Sequence, residues 1–467
     1  MNEKETKGFK TPSPFILLAV FLLIAAAMTY LIPAGTFERV EVEGLSRPVV
    51  VPDTYQQIKG TPTAIGDLLA AVPQGMVDSG MIIFLVFVSA GSFNVFTKTG
   101  AFESGIGVAI KKIQEKHFPK WLVIWLFTFL FSLFGFVSGP DGLIPFTLVS
   151  VSVALGLGYD LIMGLALVLA GSGIGFAMSP INGAVVATPQ SVVGLPIFSG
   201  ADFRTVMWFI ATCIMALMLS LYARQIEKDP KKSPAYGIET KGLELTKEIK
   251  DYRINRRQVL VLLVFLAMSV LTVVGALKFD WFLIEIAGLF LLGGIVGGLV
   301  YGVKLEDIFK GFVEGGSTTA SVMLLIGFAR GIQVLLERGN VLDTIINVLS
   351  KPLANFNPVA AGILISVITA FIHIFITSGS GLAVAMMPIL GPIGLVAGLS
   401  MQTTILSFQM GGSILNMITP TLGSTMAMCG LARVPFDKWF KIGVKLAIPI
   451  MLFAWVAIMV AHLIGYQ

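Results

Sequence analysis

Charge is what this chain most lacks. Only 13% of its 467 residues are Asp, Glu, Lys or Arg, about half the share of an ordinary soluble domain. That shortage excludes a soluble enzyme and a disordered regulator. Histidine is almost absent, with three residues, and there are two cysteines, Cys213 and Cys429. Both cysteines lie in apolar or Gly/Met-rich sequence with no CxxC or Cys/His cluster nearby, so neither a disulfide framework nor a metal centre follows. Two soluble signatures are also missing, the Gly-x-x-x-x-Gly-Lys-Ser/Thr loop and the His-Glu-x-x-His pair. ATP-driven transport and zinc-dependent proteolysis are thereby disfavoured. The net charge of +5 is small and dispersed, which offers nothing to nucleic acid.

What is present is hydrocarbon: 55% hydrophobic residues, 50 Gly and 34 Phe, with a mean hydropathy of +0.88. This is the composition of an all-α polytopic membrane protein, in which Gly is better tolerated than in soluble helices. Apolar windows long enough for about 30 Å of hydrocarbon begin near Pro14, Gly80, Lys120, Gly142, Asp160, Arg204, Gln258, Trp281, Thr318, Phe356, Gly381, Ser400 and Trp439. The first, Pro14 to Pro33 behind Lys4, Lys7 and Lys10, imitates a signal peptide. It exceeds a signal core in length and lacks a clear small-x-small cleavage site, so it is expected to stay as the first span.

Loop charges orient the chain. The segment from Arg224 to Arg257 holds ten Lys or Arg against six acids, and Lys98 to Lys120 is also basic, whereas Glu38 to Asp78 is acidic. The positive-inside bias places the first two in the cytoplasm and the last outside, with a cytoplasmic N-terminus in the cell's inner (plasma) membrane.

The two halves echo each other 240 residues apart: Ser179-Pro180-x-x-Gly183 with Thr419-Pro420-x-x-Gly423, Ser138-Gly139 with Ser378-Gly379, and Gln74-Gly75 and Gly91 with Glu314-Gly315 and Gly331. Coincidence is cheap among abundant Gly, Ser and Pro, but these matches also fall at equivalent places in the hydropathy pattern. Tracing the spans from the cytoplasmic loop makes the window from Thr318 to Glu337 run opposite to its counterpart from Gly80, which predicts inverted repeats, a transporter arrangement. The expected organisation is residues 1–77 as an N-terminal span and outer segment and 78–223 as the first repeat. A cytoplasmic loop follows over 224–257, additional spans over 258–303 and the second repeat over 304–467. About nine transmembrane helices and two re-entrant hairpins result.

Each repeat contains two polar interruptions. In the first, Ser138-Gly139-Pro140-Asp141-Gly142 divides Lys120–Val137 from Leu143–Gly158 and reads as the tip of a re-entrant hairpin, because Pro interrupts the helix. Ser179-Pro180-Ile181-Asn182-Gly183 then unwinds a helix that resumes as far as Ile197. In the second, Thr377-Ser378-Gly379-Ser380-Gly381 divides Phe356–Ile376 from Leu382–Leu399, and Asn416 to Thr421 follows the run from Met401 to Leu415.

Backbone groups freed at such depth survive only when buried in protein or lining a cavity. Half-helix N-termini there favour anionic groups, while carbonyl, Ser, Thr and Asn oxygens can hold Na⁺. The candidate substrate-binding residues are therefore Ser138, Asp141, Asn182, Ser378, Ser380, Asn416, Thr419 and Thr421. The candidates for a coupling ion, Na⁺ or H⁺, are Ser138, Asp141, Ser179, Asn182, Thr377 and Asn416. No cofactor is required beyond that ion.

Ionisable residues within apolar stretches are few: Asp141, Glu285, Arg330 and His373. Such residues are functional candidates by default. Asp141 suits a cation, a proton or a substrate ammonium. Arg330 suits a substrate carboxylate, or a structural pair with Glu337 or Glu285. His373 reads as a core residue more readily than a ligand, and Gln409 is open between cavity lining and packing.

Several local sequences carry a resemblance: Ile32-Pro33-Ala34-Gly35 closing the first run, Gly156-Leu-Gly-Tyr-Asp160, Phe375-Ile-Thr-Ser-Gly-Ser-Gly381 and Leu431-Ala-Arg-Val-Pro-Phe-Asp-Lys-Trp439. With them the chain, over nearly its whole length, resembles the YfcC-type carriers, which are similar to the anaerobic C4-dicarboxylate carriers of the ion transporter superfamily. The resemblance implies a secondary transporter with two re-entrant hairpins, a scaffold, a mobile transport domain and often a homodimer. Some of the carriers it resembles have an acidic pair at the first hairpin tip, where this chain has Pro140-Asp141. One carboxylate there places anionic substrates ahead of dibasic amino acids.

The reading is a Na⁺- or H⁺-coupled carrier of small carboxylate-bearing, dicarboxylate-like metabolites that works by an elevator movement. An amino-acid exchanger of the arginine/ornithine kind, with Asp141 holding the ammonium, is the alternative, and a channel or a membrane enzyme ranks below both. The partners expected are the lipid bilayer and an anionic or zwitterionic small molecule. Orientation has a direct check: in intact cells an impermeant thiol reagent labels Asp53→Cys and leaves Lys241→Cys unlabelled until the membrane is opened.

Overall fold

The computed structural model describes residues 14–41, 48–116, 119–243, 249–279 and 281–467. Lys4, Lys7, Lys10 and Lys247 of the orientation argument and the side chain of Ser138 lie outside what it describes. Among the described residues strand is confined to two small antiparallel pairs, β1 (Gly35–Thr36) with β4 (Gln56–Gln57) and β2 (Arg39–Val40) with β3 (Val49–Val50). Arg39 anchors them by a bidentate pair to Asp343, at 2.7 and 2.8 Å.

All else is helix and its connections. The first half contains α1 (Pro14–Leu31), α2 (Ile65–Asp78), α3 (Gly80–Lys98), α4 (Ala101–Glu115) and α5 (Lys120–Ser138). It continues with α6 (Thr147–Gly156), α7 (Leu161–Ala177), α8 (Thr188–Val192) and α9 (Ala201–Lys228). The second half opens with α10 (Arg256–Lys278), α11 (Leu283–Tyr301), α12 (Leu305–Ser317), α13 (Ala320–Arg338) and α14 (Leu342–Ser350). It closes with α15 (Pro358–His373), α16 (Gly379–Val396), α17 (Met401–Ile414), α18 (Gly423–Leu431) and α19 (Phe436–Leu463). Polar caps set several starts: Asp160 accepts from the Met163 amide at 2.7 Å, Asn357 from Ala360 at 2.9 Å and Ser400 from Thr403 at 3.0 Å.

Among the described residues seven helical stretches are long and apolar enough to cross a membrane: α3, α9, α11, α13, α16, the run Met401–Leu431 and α19. α16, expected as a hairpin limb, is one of them. α8 stops at Val192 rather than reaching Ile197, because Gly194 takes a positive φ of 73° and Pro196 follows.

Helices α12 to α19 start within five residues of positions 240 beyond α2, α3, α4, α5, the Asp141–Phe146 turn, α7, the Gly183 restart and α9. Packing is reciprocal as well. α13 holds α1 and α2, while α3 holds α11 and α12, and α7 meets α17 between the halves. The glycines that matched in sequence are points of close backbone approach. A Cβ on Gly75 of α2 would stand 2.3 Å from the Gly327 carbonyl oxygen and 2.6 Å from the Gly331 nitrogen of α13. One on Gly315 of α12 would stand 2.5 Å from the Ala90 carbonyl oxygen and 2.8 Å from the Gly91 Cα of α3. Small residues let membrane helices meet backbone to backbone.

Gly75→Ala is therefore expected to destabilise the protein by about 1–3 kcal/mol through overpacking. Gly288→Ala in α11, where a Cβ meets nothing within 4 Å, stabilises it slightly or leaves it unchanged. Thermal unfolding in detergent compares the two.

Candidate functional site

Two helix ends and two helix breaks meet at the centre of the molecule. α5 ends at Gly139, whose φ of 65° turns the chain into Pro140 and Asp141. The Phe136 carbonyl left open by that ending accepts from the Ser179 hydroxyl at 2.9 Å and the Asn182 amide at 3.2 Å, both from the first break. Asn182 also accepts from the Ala184 and Val185 amides, at 2.9 and 3.3 Å, and so caps the helix that restarts there. The second half uses the same device. α15 ends at His373, and the Ile374 carbonyl accepts from the Thr421 hydroxyl of the second break at 2.5 Å. Ser378 caps α16 by accepting from the Gly381 amide at 3.2 Å.

The tips also cross over. Gly379 of the second tip sits on Ala184 and Val185 of the first restart, and the Asp141 carboxyl faces Ser424 of α18.

Between these elements lies a cavity of about 510 Å³. Of the residues expected to bind, it brings together Asp141, Asn182, Thr377, Ser378, Ser380, Asn416 and Thr421. Ser179 and Thr419 are not on its wall. Their hydroxyls donate to the Phe136 and Leu415 carbonyls and repair backbone instead. Ser138 belongs to the end of α5, but its side chain is outside the described residues. The two asparagines, expected to act alike, differ: the Asn182 carbonyl oxygen is occupied by two amides, whereas among the described residues the Asn416 side-chain oxygen accepts no hydrogen bond of good geometry and the side chain lies beside the His373 ring.

The other ionisable residues separate from one another. Arg330 reaches the cavity wall, and its Nε lies 3.6 Å from Asp78 Oδ2. The pairings expected with Glu337 and Glu285 are corrected by this geometry: Glu337 accepts from Gln333 at 2.7 Å. Glu285 accepts from the Phe282 amide at 2.9 Å as an exposed cap in the first turn of α11. His373 is buried behind the cavity wall beside Asn416, and among the described residues neither ring nitrogen makes a hydrogen bond of good geometry. Gln409 is buried too, donating to the Ser179 carbonyl at 2.8 Å.

Sequence reasoning missed Asp78 and Ser79 on the wall. Asp78 was counted with the acidic outer segment, although its place on the α2–α3 junction, one residue before a Gly-started apolar helix, was a usable signal.

A nearly all-helical chain with, among its described residues, seven membrane-length helical stretches and a polar cavity built from interrupted helices is a multi-pass membrane transporter, not an enzyme. It belongs to the family described as DcuC, the C4-dicarboxylate anaerobic carriers, whose pattern matches residues 11–463. The chain is 28% identical over a 505-residue alignment to the Escherichia coli protein named "Putative basic amino acid antiporter YfcC", covering 100% of this chain and 99% of that one. It is 26% identical to an uncharacterised Haemophilus influenzae protein, covering 94% of each. Among solved structures, the Alcanivorax borkumensis YdaH transporter aligns with a TM-score of 0.43 at 15% identity, over 97% of this chain and 99% of that one. Neisseria gonorrhoeae MtrF aligns at 0.41 and 19%, over 97% and 95%.

The two asparagines should respond differently to truncation. Asn182→Ala is expected to lower stability by about 1–2 kcal/mol through the lost cap. Asn416→Ala should leave the melting temperature nearly unchanged while abolishing substrate uptake. Paired melting and uptake measurements on both variants check this.

Proposed function

We propose that the protein is a secondary active transporter of amino acids, with cationic ones preferred, and that the cavity between the two tips and two breaks is its substrate site. The observation that carries this is the charge on the wall. Asp78 and Asp141 contribute two carboxyl groups and Arg330 one guanidinium, so acidic groups outnumber basic ones on the described lining by one. A dicarboxylate would add two more negative charges to a partly dehydrated space, where like charges repel strongly. A cationic amino acid neutralises the excess: its carboxylate competes with Asp78 for Arg330, and its ammonium and side-chain cation take Asp141 and the released Asp78.

The argument from a single carboxylate at the first tip, which favoured dicarboxylates, weakens once α2 brings Asp78 to the same cavity. The name of the E. coli relative agrees with the amino-acid reading.

Movement is read as follows. The two halves are inverted repeats, supported by the matching element positions and reciprocal packing. Helices α5–α9 and α15–α19 carry the tips and breaks as one body, which slides like an elevator against a scaffold of α1–α3 and α11–α13, and the scaffold contributes Asp78 and Arg330 to the cavity wall. Coupling is to Na⁺ or H⁺, with Asn416 and the tip oxygens as the ion's ligands, the N-terminus is cytoplasmic and the working unit is a homodimer.

Counterflow in proteoliposomes tests the reading. Vesicles loaded with unlabelled L-arginine should accumulate labelled arginine saturably, and Asp141→Asn should reduce the rate at least tenfold. Counterflow supported by succinate and by no amino acid would overturn it, and unsaturable flux would point to a channel.

A further inference from the structure

Arg204, near the start of α9, is 0% exposed, and among the described residues no ion pair includes it. A buried cation without a carboxylate is costly. What surrounds it is a set of neutral acceptors. Nε donates to Gln409 Oε1 at 3.1 Å, Nη2 to Gln402 Oε1 at 3.0 Å, and Nη1 to the Ser199 carbonyl at 3.0 Å and the Tyr466 hydroxyl at 2.7 Å.

Guanidinium has no acceptor atom. The Gln409 atom facing it is therefore oxygen, which turns the Gln409 NH₂ the other way, where it donates to the Ser179 carbonyl at 2.8 Å. That carbonyl closes α7 at the first break. The Ser179 hydroxyl in turn shares the Phe136 carbonyl with Asn182, which lines the cavity. A continuous chain of hydrogen bonds thus joins the buried cation, through α17 of the second half, to the break of the first. Lysine could not replace it, since a single ammonium cannot span four acceptors in a planar fork.

We propose that Arg204 is the positioning residue for the first helix break: by fixing the Gln409 amide it holds the Ser179 carbonyl, and with it Asn182, in the geometry that lines the cavity. Arg204 does not touch the cavity, and this assignment builds on the reading of that cavity as the substrate site. It is nevertheless tested on the resting protein, so that it stands or falls separately from the choice of substrate.

Hydrogen–deuterium exchange of the amides at 181–187 reads the break directly in the full-length protein. Arg204→Met should raise their exchange about tenfold, the loss of roughly one well-made hydrogen bond, with Arg204→Lys intermediate. Gln409→Glu is the decisive variant: it gives Arg204 a carboxylate partner, so the fold is kept, yet it cannot donate to Ser179. It should raise exchange at 181–187 as much as Arg204→Met does. The double variant Arg204→Met/Gln409→Met should do no more than either single change. Unchanged exchange in folded Gln409→Glu, or additive effects in the double variant, would overturn the proposal.

Discussion

Hydrocarbon offers no water, so every backbone group released where a helix stops must be satisfied by protein. The rest of this structure follows from how that is done. Ser179 and Asn182 repair the Phe136 carbonyl, Thr421 repairs Ile374, and Gln409 repairs Ser179. Ser179, Asn182 and Thr421 each sit at one interruption and close a carbonyl at another, while Gln409 closes its carbonyl from within α17. The tips and breaks are therefore bound to one another rather than merely adjacent, and the polar atoms left over line the cavity between them.

A second constraint shapes the framework outside the cavity. Apolar side chains gain little by leaving lipid, so close backbone approach takes the place of the hydrophobic effect in holding helices together. Gly75 against Gly331 and Gly315 against Gly91 supply that approach on the two sides of the molecule. Those contacts fix α2 on α13, which brings Asp78 at the end of α2 within 3.6 Å of Arg330. Packing by glycine and the charge balance of the cavity are thus consequences of the same helix pair.

Much of this was legible in one dimension. Gly, Pro, Ser and Asn inside apolar windows marked all four interruptions, because a helix cannot pass Pro140, Pro180 or Pro420 without losing hydrogen bonds. The repeat glycines were legible for a similar reason, since only a missing side chain permits contact at 240-residue equivalents. Partnership was not legible. Glu285 looked intramembrane because its neighbours are apolar, yet it caps a helix end. Arg330 looked nearest to Glu337 along its own helix, but its carboxylate arrives from Asp78, far away in sequence. Asn182 and Asn416 were indistinguishable as residue types, and only their surroundings make one a helix cap and set the other on the cavity wall beside His373.

The amino-acid sequence by itself determined that this is a polytopic carrier with two interrupted segments in each half, because hydropathy and helix breaking are local properties of the chain. The sign of the cavity and the identity of its free polar atoms were decided by tertiary structure alone. Electrostatics and hydrogen-bond satisfaction are properties of groups within a few ångströms, and Asp78, Asp141 and Arg330 come within reach of one space only when the helices that carry them pack.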